Sequence, residues 1–122
     1  MGSLVKSYKD LIVWQKSHKL AMTVYKISQG NKKNFADLEI WKQAMRSVFS
    51  VPANIVEGYY SHKGKSFASY LEISRGSAGE AQYWIIVLIE TSQIDAVTGY
   101  ALMKEYDEVI AMLTGLVRKV RS

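Results

Sequence analysis

From Thr98 to Arg121 the chain reads TGYALMKEYDEVIAMLTGLVRKVR, and this stretch decides the fold. Leu102, Tyr106, Val109, Leu113, Leu116 and Val120 alternate in steps of four and three. An unbroken seven-residue repeat puts one apolar stripe along a helix and implies left-handed, bundle-like packing. Asp95, just upstream, is suited to cap that helix.

The same arithmetic extends back to the start of the chain. From Ser66 to Ser92, the residues Phe67, Leu71, Ser74, Ala78, Ala81, Ile85 and Leu88 repeat in fours and threes. Tyr83 to Ile89 is apolar all round, so this helix is expected to be buried on every side. Its middle holds Ser74, Gly76, Ser77, Ala78, Gly79 and Ala81. Glycine costs about 1 kcal/mol in a helix interior, which predicts close approach by a neighbouring helix or by Trp14 or Trp41. From Phe35 to Glu57, the stripe is Leu38, Trp41, Met45, Val48, Pro52 and Ile55. Proline removes a helical hydrogen bond and clashes with the preceding turn, so a kink or break is expected at Pro52, near Ser50 and Val51. Gly58 reads as the stop. The first helix covers Lys9 to Ser28, with Asp10 as cap and Gly30-Asn31 as terminator. Its apolar arc (Leu11, Val13, Trp14, Leu20, Ala21, Met22, Val24, Tyr25) is wide enough for more than one packing partner.

Four stripes joined by short breaks predict an all-α antiparallel up-down four-helix bundle. It forms one domain over residues 1–122, with helices near 9–28, 35–57, 66–92 and 98–121. The wide arcs on the first and third helices favour self-association. No cysteine is present, which removes disulfides and thiol chemistry. The longest apolar run is far short of the ~20 residues that span a bilayer. The amphipathic start carries no signal-peptide pattern, so the expected location is the cytoplasm.

Little chemistry is legible. A carboxylate-bridged metal centre in a bundle needs Glu-x-x-His pairs, and neither His18 nor His62 lies three residues after a glutamate. No metal and no cofactor are expected. Gly64-Lys65-Ser66 resembles the end of a phosphate loop, but that spacing needs glycine where Tyr59 stands. His18 lies in the apolar arc of the first helix and reads as a core or interface histidine. The aromatic residues read mostly as core, with any exposed ones free to stack on bases. Arg46, Asn54 and Glu57 share a face of the second helix with Ser50, and Glu80 lies on the third. Either these residues form a buried polar network, with Arg46 paired to Glu80 or Glu57, or they line a solvated stripe. Neither arrangement implies catalysis, and no enzymatic activity is expected.

Sixteen basic residues against eleven acidic give +5. That tilt allows a polyanion partner without requiring one. Lys9, Lys16, Lys19 and Lys26 fall in one arc of about 100° on the first helix. Lys63 and Lys65 form another group, and Arg118, Lys119 and Arg121 close the chain. These are the candidate phosphate contacts. The case depends on whether several groups share one surface.

Three motifs resemble a known family across nearly the whole chain: Tyr8-Lys9-Asp10-Leu11-Ile12-Val13-Trp14-Gln15-Lys16, Ser50-Val51-Pro52-Ala53-Asn54-Ile55-Val56-Glu57-Gly58, and Gly76-Ser77 followed by Glu80. They are similar to the four-helix-bundle family of 23S ribosomal RNA intervening-sequence proteins. That family is related to the accessory variability determinant of diversity-generating retroelements. The resemblance implies a small bacterial cytoplasmic bundle, a ring-like homopentamer, and RNA, DNA, a reverse transcriptase or another protein as partner. The expected role is a non-enzymatic, self-assembling binding or scaffold protein that contacts nucleic-acid phosphates. The alternative is a protein–protein adaptor with no nucleic-acid role.

Overall fold

The computed structural model of the chain describes residues 5–30, 32–61 and 64–122. After a 3-10 turn at Tyr8–Asp10 come four helices: α1 Ile12–Ser28, α2 Phe35–Tyr60, α3 Gly64–Glu90 and α4 Ala96–Arg121. Among the described residues there is no strand. Each helix packs against its neighbours in the chain, and α1 closes the ring on α4. Among the described residues the two diagonal pairs do not come together. This is the all-α four-helix bundle the heptads predict.

Local chemistry sets the ends. Asn34 caps α2 by accepting a 2.8 Å hydrogen bond from the Asp37 amide, and the Asp37 carboxylate accepts one from the Asn34 amide in return. Asp95 caps α4 by accepting from the Thr98 amide at 3.0 Å and from the Thr98 hydroxyl at 2.7 Å. At the start of the chain, Asp10 does not cap α1. Its carboxylate accepts from the Lys6 and Ser7 amides and closes a capping box on the 3-10 turn. α1 then begins after Leu11 with no side-chain cap. α3 ends at Glu90, and Ser92 follows in the left-handed region with φ 61°. The Gln93 and Ile94 amides then close back on the Leu88 carbonyl.

Inside the bundle lie Ala21, Val24, Trp41, Ala44, Val48, Val51, Ile55, Leu71, Ala78, Ala81, Ile85, Leu88, Tyr106, Val109 and Leu113. The α3 stripe falls almost entirely in this core, as its spacing requires. α2 runs unbroken through Pro52, so no helix break occurs. Pro52 itself is buried. Beside it, the fully buried Ser74 hydroxyl donates a 2.7 Å hydrogen bond to the Val51 carbonyl, joining α3 to α2. Gly58 is not a stop either, since α2 continues to Tyr60. A Cβ there would meet Tyr70 and Phe67 at the start of α3. The glycine serves close approach of two helices.

Of two expectations for α3, burial on every side fails, and close approach along the small-residue stretch holds only in part. Tyr83 is 55% exposed and Ile73 52% exposed, so α3 is not buried on every side. Among the described residues nothing, and no tryptophan, lies against Gly76 or Gly79. Only part of the small-residue stretch (Ser74, Ala78, Ala81) packs inward.

Candidate nucleic-acid interface

An antiparallel bundle gathers alternate helix ends. The amino-terminal ends of α1 and α3 lie with the carboxy-terminal ends of α2 and α4. Several contacts fix this end. Tyr8 packs edge-on against Tyr59 and Tyr60 at 6.4 and 6.0 Å between ring centroids. Lys119 lines a groove with Leu11 and Ile12. Arg121 grips both oxygens of Glu72, at 2.6 and 3.1 Å. Lys9, Arg118, Lys119 and Arg121 therefore share one end of the molecule, and Lys6 joins them. The acids at that end are Asp10, Glu57 and Glu72. Asp10 is occupied by backbone amides and Glu72 by Arg121.

The arginine guanidinium holds the Glu72 carboxyl below the usual carboxylate range, and the pair raises Arg121 in turn. Arg121 is thus partly neutralised, while Lys6, Lys9, Arg118 and Lys119 are exposed, with no ion pair to any of them among the described residues. Lys63 and the side chain of Lys65 lie outside the described residues.

The remaining α1 lysines differ among themselves. Lys9 and Lys26 are separated by roughly 25 Å along the chain at helical rise, so the stripe is long and narrow. Lys26 lies at the opposite end of the bundle. Lys19 is exposed on the groove between α1 and α4. Lys16 is half-buried and ion-paired to α4, to Glu105 and, at 3.0 Å, to Glu108. The hydrogen bond to Glu105, then that to Glu108, raises Lys16 against the opposing effect of burial, and Lys16 in turn lowers Glu105. Lys16 is a structural clasp between α1 and α4 before it is a phosphate contact.

The polar residues of α2 and α3 divide the same way. Arg46 is exposed and donates to Gln43 at 2.7 Å. Glu80 accepts from the Trp84 indole at 3.0 Å, and Glu57 from the Tyr70 hydroxyl at 3.3 Å. No ion pair joins Arg46 to Glu57 or Glu80 among the described residues. Asn54 donates to the Ser50 carbonyl and hydroxyl, and Ser50 meets Ser77 at 2.7 Å across α2 and α3. The network is therefore a small hydroxyl–amide node, flanked by a solvated stripe of charges.

An array of rings at the basic end was only partly legible. Trp14 stacks on His18 at 4.9 Å with the planes 6° apart, and Tyr8 meets Trp14 edge-on at 5.0 Å. Tyr59 continues the array to Tyr60 and Phe67. His18 is exposed, so it is not a core histidine. The i, i+4 spacing of Trp14 and His18 was the available signal. The junction of Tyr8 with Tyr59 and Tyr60 joins distant parts of the chain and has no local signature. Among the described residues, no cluster of histidine and carboxylate side chains is arranged to hold a metal ion. No described helix is long and apolar enough to cross a membrane.

A family model described as 23S rRNA-intervening sequence protein matches residues 9–115. Among solved structures, the chain is similar to a protein with unknown function from the S23 ribosomal protein family of Bacteroides thetaiotaomicron. The two share 25% identity and a TM-score of 0.81, over 90% of this chain and 98% of that one. No curated protein matches.

Proposed function

The chain belongs to the 23S rRNA-intervening sequence protein family, and from that premise we propose that it is a non-enzymatic, self-assembling bundle that docks on nucleic-acid phosphates through the basic end of the molecule. The observation that carries the reading is the gathering of Lys6, Lys9, Arg118 and Lys119 at one end, where Glu72 is paired with Arg121. Separate groups in the sequence become one field there, and oligomerisation multiplies it. The mechanism is electrostatic: ammonium and guanidinium groups displace condensed counterions from the backbone and read little sequence.

Self-association is supported by the outer face of α3, where the exposed Ile73 and Tyr83 flank Gly76 and Gly79. Apolar side chains beside open glycines let another helix approach closely. A ring of five, in the cytoplasm, is the assembly the family resemblance implies.

A salt titration of a structured RNA and a duplex DNA tests the reading. At ~0.9 per phosphate contact on duplex DNA, a log–log slope steeper than about −3 is expected, flattening when Lys9 and Lys119 are changed to alanine. Absence of binding at ~50 mM salt and micromolar protein defeats it, because the phosphate contribution is strongest there. The protein would then be an adaptor for another protein.

A further inference from the structure

The basic end also carries the array of rings, and the two together specify more than phosphate docking. Lysine alone holds any polyanion. Aromatic faces hold only bases that are not already paired and stacked. Tyr60 is 60% exposed, and its edge contacts with Tyr8 and Tyr59 support the ring from within the bundle. His18 is exposed on the far side of the same array. Its inner face lies flat on Trp14, so its orientation is set by the core side. Two supported rings thus flank Tyr8, and Lys9 follows Tyr8 directly in the 3-10 turn.

Resting on the phosphate-docking reading above, we infer that the Tyr60–Tyr8–Trp14–His18 array is a stacking platform for an unpaired RNA strand, with bases on Tyr60 and His18 and the phosphates between them on Lys9 and its basic neighbours. The strand must be single because a duplex buries its base faces. Stacking is sequence-tolerant, since every base has a π-face. The tyrosine hydroxyls at this end offer hydrogen-bond partners to a ribose 2′-hydroxyl, the group that separates RNA from DNA.

The test uses the full chain with an unstructured oligouridine of ~12 nucleotides, its duplex with oligoadenylate, and the matching oligothymidylate. The single strand is expected to bind more tightly than the duplex. Tyr60→Ala and His18→Ala should each weaken single-strand binding by about tenfold, with the salt slope and the duplex affinity unchanged. Each alanine variant also loses a ring contact, Tyr60 with Tyr8 and Tyr59 and His18 with Trp14, so thermal melts must show each variant still folded at the assay temperature. Tyr60→Phe should keep most of the affinity, as stacking requires. Lys9→Ala should weaken single strand and duplex alike and flatten the slope.

If Tyr60→Ala and His18→Ala bind as the parent does while Lys9→Ala loses affinity, the platform is wrong and phosphate docking stands. Failure of every nucleic acid to bind at low salt overturns both. Equal binding of oligothymidylate and oligouridine overturns the assignment to RNA.

Discussion

Gly58 and Tyr70 stand so close that a Cβ on the glycine would lie 2.7 Å from the tyrosine Cβ. The contact joins the last turns of α2 to the first turns of α3. It positions Tyr59 and the exposed ring of Tyr60. The atom in the way on Tyr70 is bonded directly to the backbone, so no side-chain rotation relieves the clash.

Gly58→Ala should therefore destabilise the bundle by about 1–3 kcal/mol, as overpacking does, despite the better helix propensity of alanine. Gly115→Ala is the matched control. Among the described residues nothing lies within 4 Å of a Cβ there, so propensity alone should stabilise that variant by up to about 1 kcal/mol. Urea denaturation of the two variants checks both signs. Equal behaviour would remove the close approach as the reason for Gly58.

Tyr106 is fully buried in the heptad of α4, and its hydroxyl has no hydrogen-bond partner among the described residues. Burial alone pushes its phenol above the ordinary tyrosine range. An unpaired buried hydroxyl costs about 1–3 kcal/mol. Tyr106→Phe keeps the shape and removes that cost. It should be neutral or stabilising by about 1 kcal/mol, read as a rise of roughly 4 °C in Tm. A loss of more than about 1 kcal/mol would mean that the hydroxyl is bonded in solution, to water or to another subunit.

Acid should loosen the molecule at identifiable pairs. Arg121 lowers Glu72, the Thr98 hydroxyl and amide lower Asp95, and Lys16 lowers Glu105. A carboxyl lowered by folding contributes stability above its ordinary value and loses it as pH falls through the folded value. Those ordinary values are 4.5, 3.8 and 4.5. Lys16 is raised from 10.5, so its contribution is whole below that pH and is lost on going higher. Tm from these groups should be level through neutral pH and decline below about pH 4.5. Glu105→Gln should show a smaller acid decline than the parent, and the gap should narrow in high salt because the group is accessible to solvent. An identical acid profile in the variant would show that the Lys16 clasp has no part in the decline.

Lys16 and Lys119 should separate in binding. Both are candidate phosphate contacts by sequence, but Lys16 is committed to Glu105 and Glu108 while Lys119 is exposed beside α1. Lys119→Ala should weaken RNA binding and reduce the salt slope by ~1. Lys16→Ala should lower Tm and leave the slope nearly unchanged. The reverse ranking would place the docking surface along the face of α1 and away from the end of the bundle.

Heptad spacing on α3 and α4 was enough, by itself, to determine the bundle, because burying periodic apolar stripes has few solutions when the connections are short. Side chains on those stripes, from Leu71 to Leu88 and from Leu102 to Leu113, went where the spacing put them. The Asp95 cap was also legible, since a cap acts within one turn, but Asp10 went to the 3-10 turn and not to α1. Tertiary structure decided the rest, because it depends on atoms far apart in the chain. It kept α2 whole at Pro52, which is buried among its neighbours. It turned Gly58 from a stop into a contact. It left Gly76, Gly79 and Tyr83 on the surface, although their composition suggested burial. It drew Lys16 into a clasp on Glu105, 89 residues away, and on Glu108. Above all, antiparallel packing brought Lys9, Lys119, Tyr8 and Tyr60 to one end, and no local pattern encodes which ends meet.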